Sequence, residues 1–198
     1  MKKFLVSIVI LACAAITSAA QPSKIVTPKE SNYWFIDTGV GVNGMYDAKK
    51  IGGWGIGADV AVGKWFLPQF AMRLGVYGVT GSGIKGQPSW FSGDKAYGKC
   101  SVAFDILWDV INTANEDYYW NAYHIQPFLR FQETFGFSEG KKAATFNFGA
   151  GLRQTIKINR TLSAVIDLSG VLSGEGPWNG GGGFIVFGTA TAGLSVRL

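Results

Sequence analysis

The sequence is short of charge, of cysteine and of histidine. Asp, Glu, Lys and Arg supply only 16% of its 198 residues, against ~25% in ordinary soluble domains. A fully hydrated surface is hard to build from so few charges. Disorder is excluded from the other side, because aromatic residues reach 14% and disordered chains carry few. Cys13 falls in the leader described below and Cys100 remains alone, so no intramolecular disulfide can staple the mature chain. One histidine and one mature cysteine offer no metal-ligand spacing, and neither a metal nor a cofactor is expected. The net charge of +5 falls to +3 once Lys2 and Lys3 leave with the leader. That excess is small and scattered, which argues against nucleic acid as a partner. After the N-terminus there is also no apolar run of the ~20 residues that a spanning helix needs.

The first residues read as an address. Met1-Lys2-Lys3 is basic, Phe4 to Ile16 is apolar, and Ser18-Ala19-Ala20 places small residues before a cut. Residues 1–20 are therefore expected to be a cleaved signal peptide and 21–32, polar with two prolines, a flexible lead. A membrane anchor would need a longer apolar run. Lipidation at Cys13 is the other alternative, though Ile10-Leu11-Ala12-Cys13 is a poor lipobox. An exported domain without disulfides must gain stability in another way, and closing a sheet within a membrane is one.

From residue 33 onward the pattern is period-two alternation punctuated by turn residues. Eight strands are predicted, over 33–42, 54–64, 70–80, 99–110, 122–134, 144–157, 160–172 and 184–198. In the second, Trp54, Ile56, Ala58, Val60 and Val62 share one face, against Gly55, Gly57, Asp59, Ala61 and Gly63. In the fourth, Val102, Phe104, Ile106 and Trp108 oppose Ser101, Ala103, Asp105 and Asp109. Soluble sandwiches alternate too. These strands, however, match or exceed the ~9–11 residues of a tilted spanning strand, and their second face is rich in Gly, Ser, Thr and balanced charge. Aromatics gather near strand ends, as Tyr33 and Trp34, Trp54, Trp65 and Phe66, Tyr119 and Trp120, and Phe184. Residues 33–198 are thus read as an all-β, eight-stranded antiparallel up-and-down transmembrane β-barrel. With both ends in the periplasm, segments 43–53, 81–98, 135–143 and 173–183 face outward, and the turns facing inward are mostly shorter.

The polar face carries the candidate chemistry. Asp37, Asp59, Asp105 and Asp167 share it with Arg73, Arg130, Arg153 and Arg197. Charges in a narrow interior should pair, and the arginine fork suits carboxylates. Such a network either gates a narrow lumen or merely fills it, and ~8 strands leave a space that side chains can fill. His124 points inward near the periplasmic end, where it is a lumen histidine or a general base. A serine hydrolase would need Ser101 or Ser195 beside it, with an orienting acid. Gly39-Val40-Gly41-Val42-Asn43-Gly44 mimics a dinucleotide loop, but no helix follows it. Pro127 lacks the N–H of a paired strand and calls for a bulge or rim position. Tyr46, Trp90, Phe91 and Trp178 lie in the outward segments as possible contact residues.

Several segments resemble a known family. Gly63-Lys64-Trp65-Phe66-Leu67-Pro68 followed by Phe70-Ala71-Met72-Arg73-Leu74-Gly75 is similar to the turn between strands two and three of OmpA-like outer-membrane barrels. Phe104 to Asn112, Ile125-Gln126-Pro127-Phe128 and Phe148-Gly149-Ala150-Gly151-Leu152 also fit that pattern. The resemblance implies an outer-membrane location and insertion by the barrel-insertion machinery. The sequence departs from the family in two ways. The peptidoglycan-binding domain of many members has no counterpart up to Leu198, so that role is not expected to carry over, and Leu198 stands where an aromatic residue often ends such chains. The expected role is structural or surface-interacting and without catalysis, with outer-membrane lipid and lipopolysaccharide as surroundings and an unknown surface ligand. A lipid A-modifying enzyme and a narrow channel are the alternatives.

Overall fold

A computed structural model describes residues 32–47, 50–82, 96–111, 122–138, 141–173 and 185–198. The expected signal peptide and all of the lead but residue 32 lie outside the described residues, as do Tyr119, Trp120 and Phe184. Eight strands follow one another: β1 (Tyr33–Asp47), β2 (Lys50–Trp65), β3 (Phe70–Ser82), β4 (Ala96–Trp108), β5 (Tyr123–Ser138), β6 (Lys141–Lys157), β7 (Leu162–Ser173) and β8 (Ile185–Arg197). Each pairs antiparallel with its sequence neighbours, and β8 returns to β1 to close the barrel. Closure leaves no sheet edge with unpaired backbone groups. Among the described residues no helix is long and apolar enough to cross a membrane.

Alternation decides which side chains go inside. Odd-numbered residues of β1 to β4 face the lumen, as Phe35, Asp37, Ala61, Trp65, Arg73, Tyr77, Asp105 and Leu107 show by their burial. In β5 the parity is even, so His124, Gln126, Phe128 and Arg130 point inward. Intervening residues form an exposed belt that is almost wholly apolar. It includes Val40 at 68% exposure, Ile56 at 68%, Val60, Leu74, Val76, Phe104, Leu129, Phe148 and Leu194. A soluble barrel would invert this arrangement.

The strands outrun their sequence-predicted bounds mainly at the end away from the termini. β1 continues through Asn43 to Asp47, pairing with β2 across an irregularity between Gly44 and Tyr46, and with β8 throughout. Tyr46 therefore stands in a strand, opposite Ile51 and Val186, and not in the expected 43–53 loop. The reason is physical: past the apolar belt a strand needs backbone pairing but no longer needs alternation. The aromatic assignment also needs correcting. Trp34, Trp54 and Phe66 are exposed, but Trp65 is buried with Phe35, Ala71, Leu107 and Phe128, and Tyr33 packs against that group. Both Tyr33 and Trp65 occupy inward parity, which overrides their position near strand ends.

Glycines make room for this interior. The Phe35 ring lies over Gly63, its cross-strand partner, and the Phe128 ring over Gly151, its own partner. A Cβ at either glycine would run into the ring. Pro127 is accommodated because β4 pairing with β5 stops at Phe128. On that side of β5 no ladder bond is lost.

Both ends of the described chain lie at one rim, where the Leu198 amide donates to the Trp34 carbonyl at 2.9 Å. The 66–69 and 158–161 turns share that rim. In the latter, Asn159 Oδ1 accepts from the amides of Thr161 and Leu162, each at 2.8 Å. This is an Asx-type turn, which fixes the β6–β7 connection.

Candidate functional site

Register builds the centre of the lumen. Arg73 on β3 lies directly opposite Asp105 on β4, and Asp105 lies directly opposite Arg130 on β5. Three alternating charges thus meet side by side. Arg73 donates to Asp105 Oδ2 through Nε at 3.0 Å and Nη2 at 2.7 Å. Its Nη1 crosses the lumen to Asp37 at 3.1 Å and Asp167 at 2.7 Å. Arg130 grips Asp105 from the other side at 2.8 and 2.9 Å, and its Nη2 donates to the Tyr77 hydroxyl at 2.7 Å. Arg153 binds both oxygens of Asp37, Oδ1 at 3.0 Å and Oδ2 by a shorter contact.

Asp37, Arg73, Asp105, Arg130, Arg153 and Asp167 therefore form one connected cluster of three cations and three anions, drawn from β1, β3, β4, β5, β6 and β7. Rings stack against it. Arg130 Cζ lies 4.3 Å from the Tyr77 ring centre and 5.0 Å from that of Phe128. Arg153 lies 5.4 Å from Phe35. Forks aimed at carboxylates, with ring faces over the guanidinium planes, are what arginine supplies and lysine does not.

The other two charged candidates stand apart from this cluster. Asp59 on β2 is buried beside Gly39, and its Oδ1 has no hydrogen-bond partner among the described residues. Arg197 sits at the terminus rim, 4.2 Å over the Tyr33 ring. The register explains both positions. Asp59 faces Gly39 and Tyr77 across its ladders, so no guanidinium is its cross-strand neighbour, and Arg197 is level with Phe35. Of the four possible contact residues, Trp90, Phe91 and Trp178 lie outside the described residues, and of Tyr46 only the backbone is described.

The cluster divides the lumen. A cavity of about 60 Å³ opens at the terminus end, lined by His124, Asp109, Gln126, Lys157 and Arg197 among others. One of about 20 Å³ lies beyond the cluster, against Asn43, Asp59, Tyr77, Lys99 and Gln132. They share no lining residue, and Arg73, only 1% exposed, lies between them.

At the terminus end, His124 Nδ1 lies 2.7 Å from Asp109 Oδ2, which also accepts from Gln126 Nε2 at 3.3 Å. Asp109 is itself placed by its amide, which donates to the Gln69 carbonyl at 2.7 Å. Neither serine completes a catalytic constellation. Ser101 bonds to Thr134 at 3.0 Å beyond the cluster. Ser195 lines the cavity of His124 but hydrogen-bonds Asp37. His124 Nε2 has no partner among the described residues, so the serine–histidine contact is not made. Among those residues there is also no group of His, Cys, Asp and Glu that could hold a metal ion.

Sequence reasoning did not name Tyr77, Lys99, Asp109 or Gln126 as site residues. Parity was the available signal, since each continues the inward face of its strand.

No protein-family model matches the chain, and no curated protein matches it. Solved structures do resemble it. Neisserial surface protein A aligns with a TM-score of 0.61 at 9% identity, covering 83% of this chain and 97% of that one. Ail of Yersinia pestis, in its complex with the heparin analogue sucrose octasulfate, gives 0.53 at 14%, covering 85% and 99%. The outer membrane protein OprG of Pseudomonas aeruginosa gives 0.53 at 8%, covering 85% and 96%. At such identities the likeness speaks for architecture: the fold is that of the eight-stranded outer-membrane β-barrels.

Proposed function

We propose that the chain is an integral protein of a bacterial outer membrane, with a structural or surface-interaction role and a lumen shut by its arginine–aspartate cluster. The exposed apolar belt carries this reading. Side chains from Val40 to Leu194 face away from the barrel on every strand, and only hydrocarbon would remove that cost. At the terminus rim Lys64 Nζ lies 5.2 Å over the Trp34 ring and 5.5 Å over that of Phe66. A cation resting on exposed rings suits a boundary between lipid and water. The terminus rim then faces the periplasm, and the opposite rim faces outward amid lipopolysaccharide. Insertion by the barrel-insertion machinery and kinship with the OmpA-like group belong to the same proposal and rest on the sequence motifs.

Planar-bilayer recording tests the sealed lumen. The expected outcome is a flat baseline from protein whose unheated sample migrates differently from the heated one on a detergent gel. Discrete conductance steps from such protein would replace this reading with a channel. Lipid A recovered from cells carrying the wild-type chain or His124→Ala should be the same. A modification that disappears with the imidazole would make the protein an enzyme.

A further inference from the structure

The lipid-facing side of the barrel carries one charge that the outward belt does not explain. Among the outward-facing strand residues whose side chains are described, only Lys64 and Glu133 are charged. Lys64 stands at the terminus rim, over the Trp34 and Phe66 rings. Glu133 lies on β5, which runs from Tyr123 at the terminus end to Ser138, and it falls in the half nearer Ser138. Its ladder partners are Val102 on β4 and Phe146 on β6. Phe131 and Phe135 flank it on the same face of its own strand. Phe146 is 69% exposed, and the Phe131 and Phe148 rings meet with centres 5.5 Å apart. Amid these rings the Glu133 carboxylate is itself exposed and has no hydrogen bond or ion pair among the described residues.

An ionisable group on a lipid face is costly, and it points to a partner of opposite charge. The ladder supplies none, because every neighbour of Glu133 on that face is apolar. The partner therefore comes from outside the chain. On the outward half of the barrel the surrounding lipid is lipopolysaccharide, whose phosphates are anionic and would repel a bare carboxylate. A divalent cation between the two turns that repulsion into attraction. One carboxylate is too few ligands to hold such an ion, and no group of His, Cys, Asp and Glu among the described residues could do so. The remaining ligands must be oxygens of lipid and water. Magnesium is commonly held in this way, by one or two carboxylates together with phosphate oxygens and several waters. We propose that Glu133 binds a divalent cation shared with a phosphate of the outer-leaflet lipid, tying the barrel to that lipid. The site rests on the outer-membrane reading of the chain.

Wild-type chain, Glu133→Gln and Glu133→Leu are inserted into vesicles of phosphatidylcholine, alone or with lipid A, in magnesium or in EDTA. Unfolding in urea is followed by heat-modifiable gel mobility. In the lipid A vesicles, magnesium at about ten times its dissociation constant should lower the wild-type unfolding constant roughly tenfold relative to EDTA. Any effect of magnesium on the lipid itself appears in all three proteins, so the gain is read as the excess in wild type. Neither variant should show that excess, and it should be absent from phosphatidylcholine alone. Equal magnesium responses in wild type and Glu133→Gln would overturn the site. A wild-type advantage that survives EDTA would overturn the metal, leaving a lipid amine as the partner. A gain as large in phosphatidylcholine alone would overturn the shared lipid A phosphate. Protein that never shifts on heating in vesicles would remove the membrane reading, and this site with it.

Discussion

Replacing Arg73 with Met removes the centre of the lumen cluster at nearly constant length. Four charge-assisted bonds go at once, to Asp37, Asp105 (two) and Asp167. At about 1.5–3 kcal/mol each their simple sum would be excessive, because two of the carboxylates keep other partners. Asp105 retains Arg130, and Asp37 retains Arg153. Asp167 is the one stranded, since Arg73 is the cation bound to its Oδ2 and its Oδ1 has no partner among the described residues. The expected loss is therefore that of one broken buried pair, about 3–5 kcal/mol. Urea unfolding of the vesicle-inserted protein, followed by heat-modifiable gel mobility, measures it. Asp167→Asn should restore part of the loss in the Arg73→Met background, and the non-additivity gives the coupling. Arg197→Gln at the rim should cost about 1 kcal/mol or less. If Arg73→Met and Arg197→Gln proved equally mild, the cluster would not be what holds the lumen together.

Three further outcomes follow from packing. Trp65→Ala opens the apolar group of Phe35, Ala71, Leu107 and Phe128, and should cost about 3–5 kcal/mol in the same assay. A side chain at Gly193 would collide with the Thr38 carbonyl of β1, so Gly193→Val should block the closing β1–β8 seam and leave material that no longer shifts on heating. Val60→Arg on the exposed belt should cost about 2–4 kcal/mol in lipid vesicles if mid-membrane, whereas a soluble protein would tolerate it.

Much of this fold was legible because a half-hydrated, half-greasy strand writes its two faces into alternate residues. The alternation of Trp54 to Val62 and of Val102 to Trp108 gave strand positions and the direction of each side chain. The outer parts of β1 and β2, around Tyr46, were not legible as strand, because pairing there no longer demands an apolar face. Trp65 differs: its place at a strand end suggests an interface position, but its parity points it inward, and parity wins. The candidate site divides in the same way. Parity places a charge on the lumen face, but only register decides which charges meet. Arg73, Asp105 and Arg130 lie abreast, whereas Asp59 and Arg197 fall on other levels. The Asp109–His124 contact also depends on the Gln69 carbonyl holding the end of β4, which no local pattern encodes.

Which face of the sheet meets lipid decides the rest, and removal of detergent tests that most directly. Folded mature chain, stripped of detergent in aqueous buffer without lipid, should leave solution as aggregates while the same protein stays monodisperse in vesicles. A monodisperse, heat-modifiable monomer in plain buffer would contradict the outward belt and the membrane role built on it.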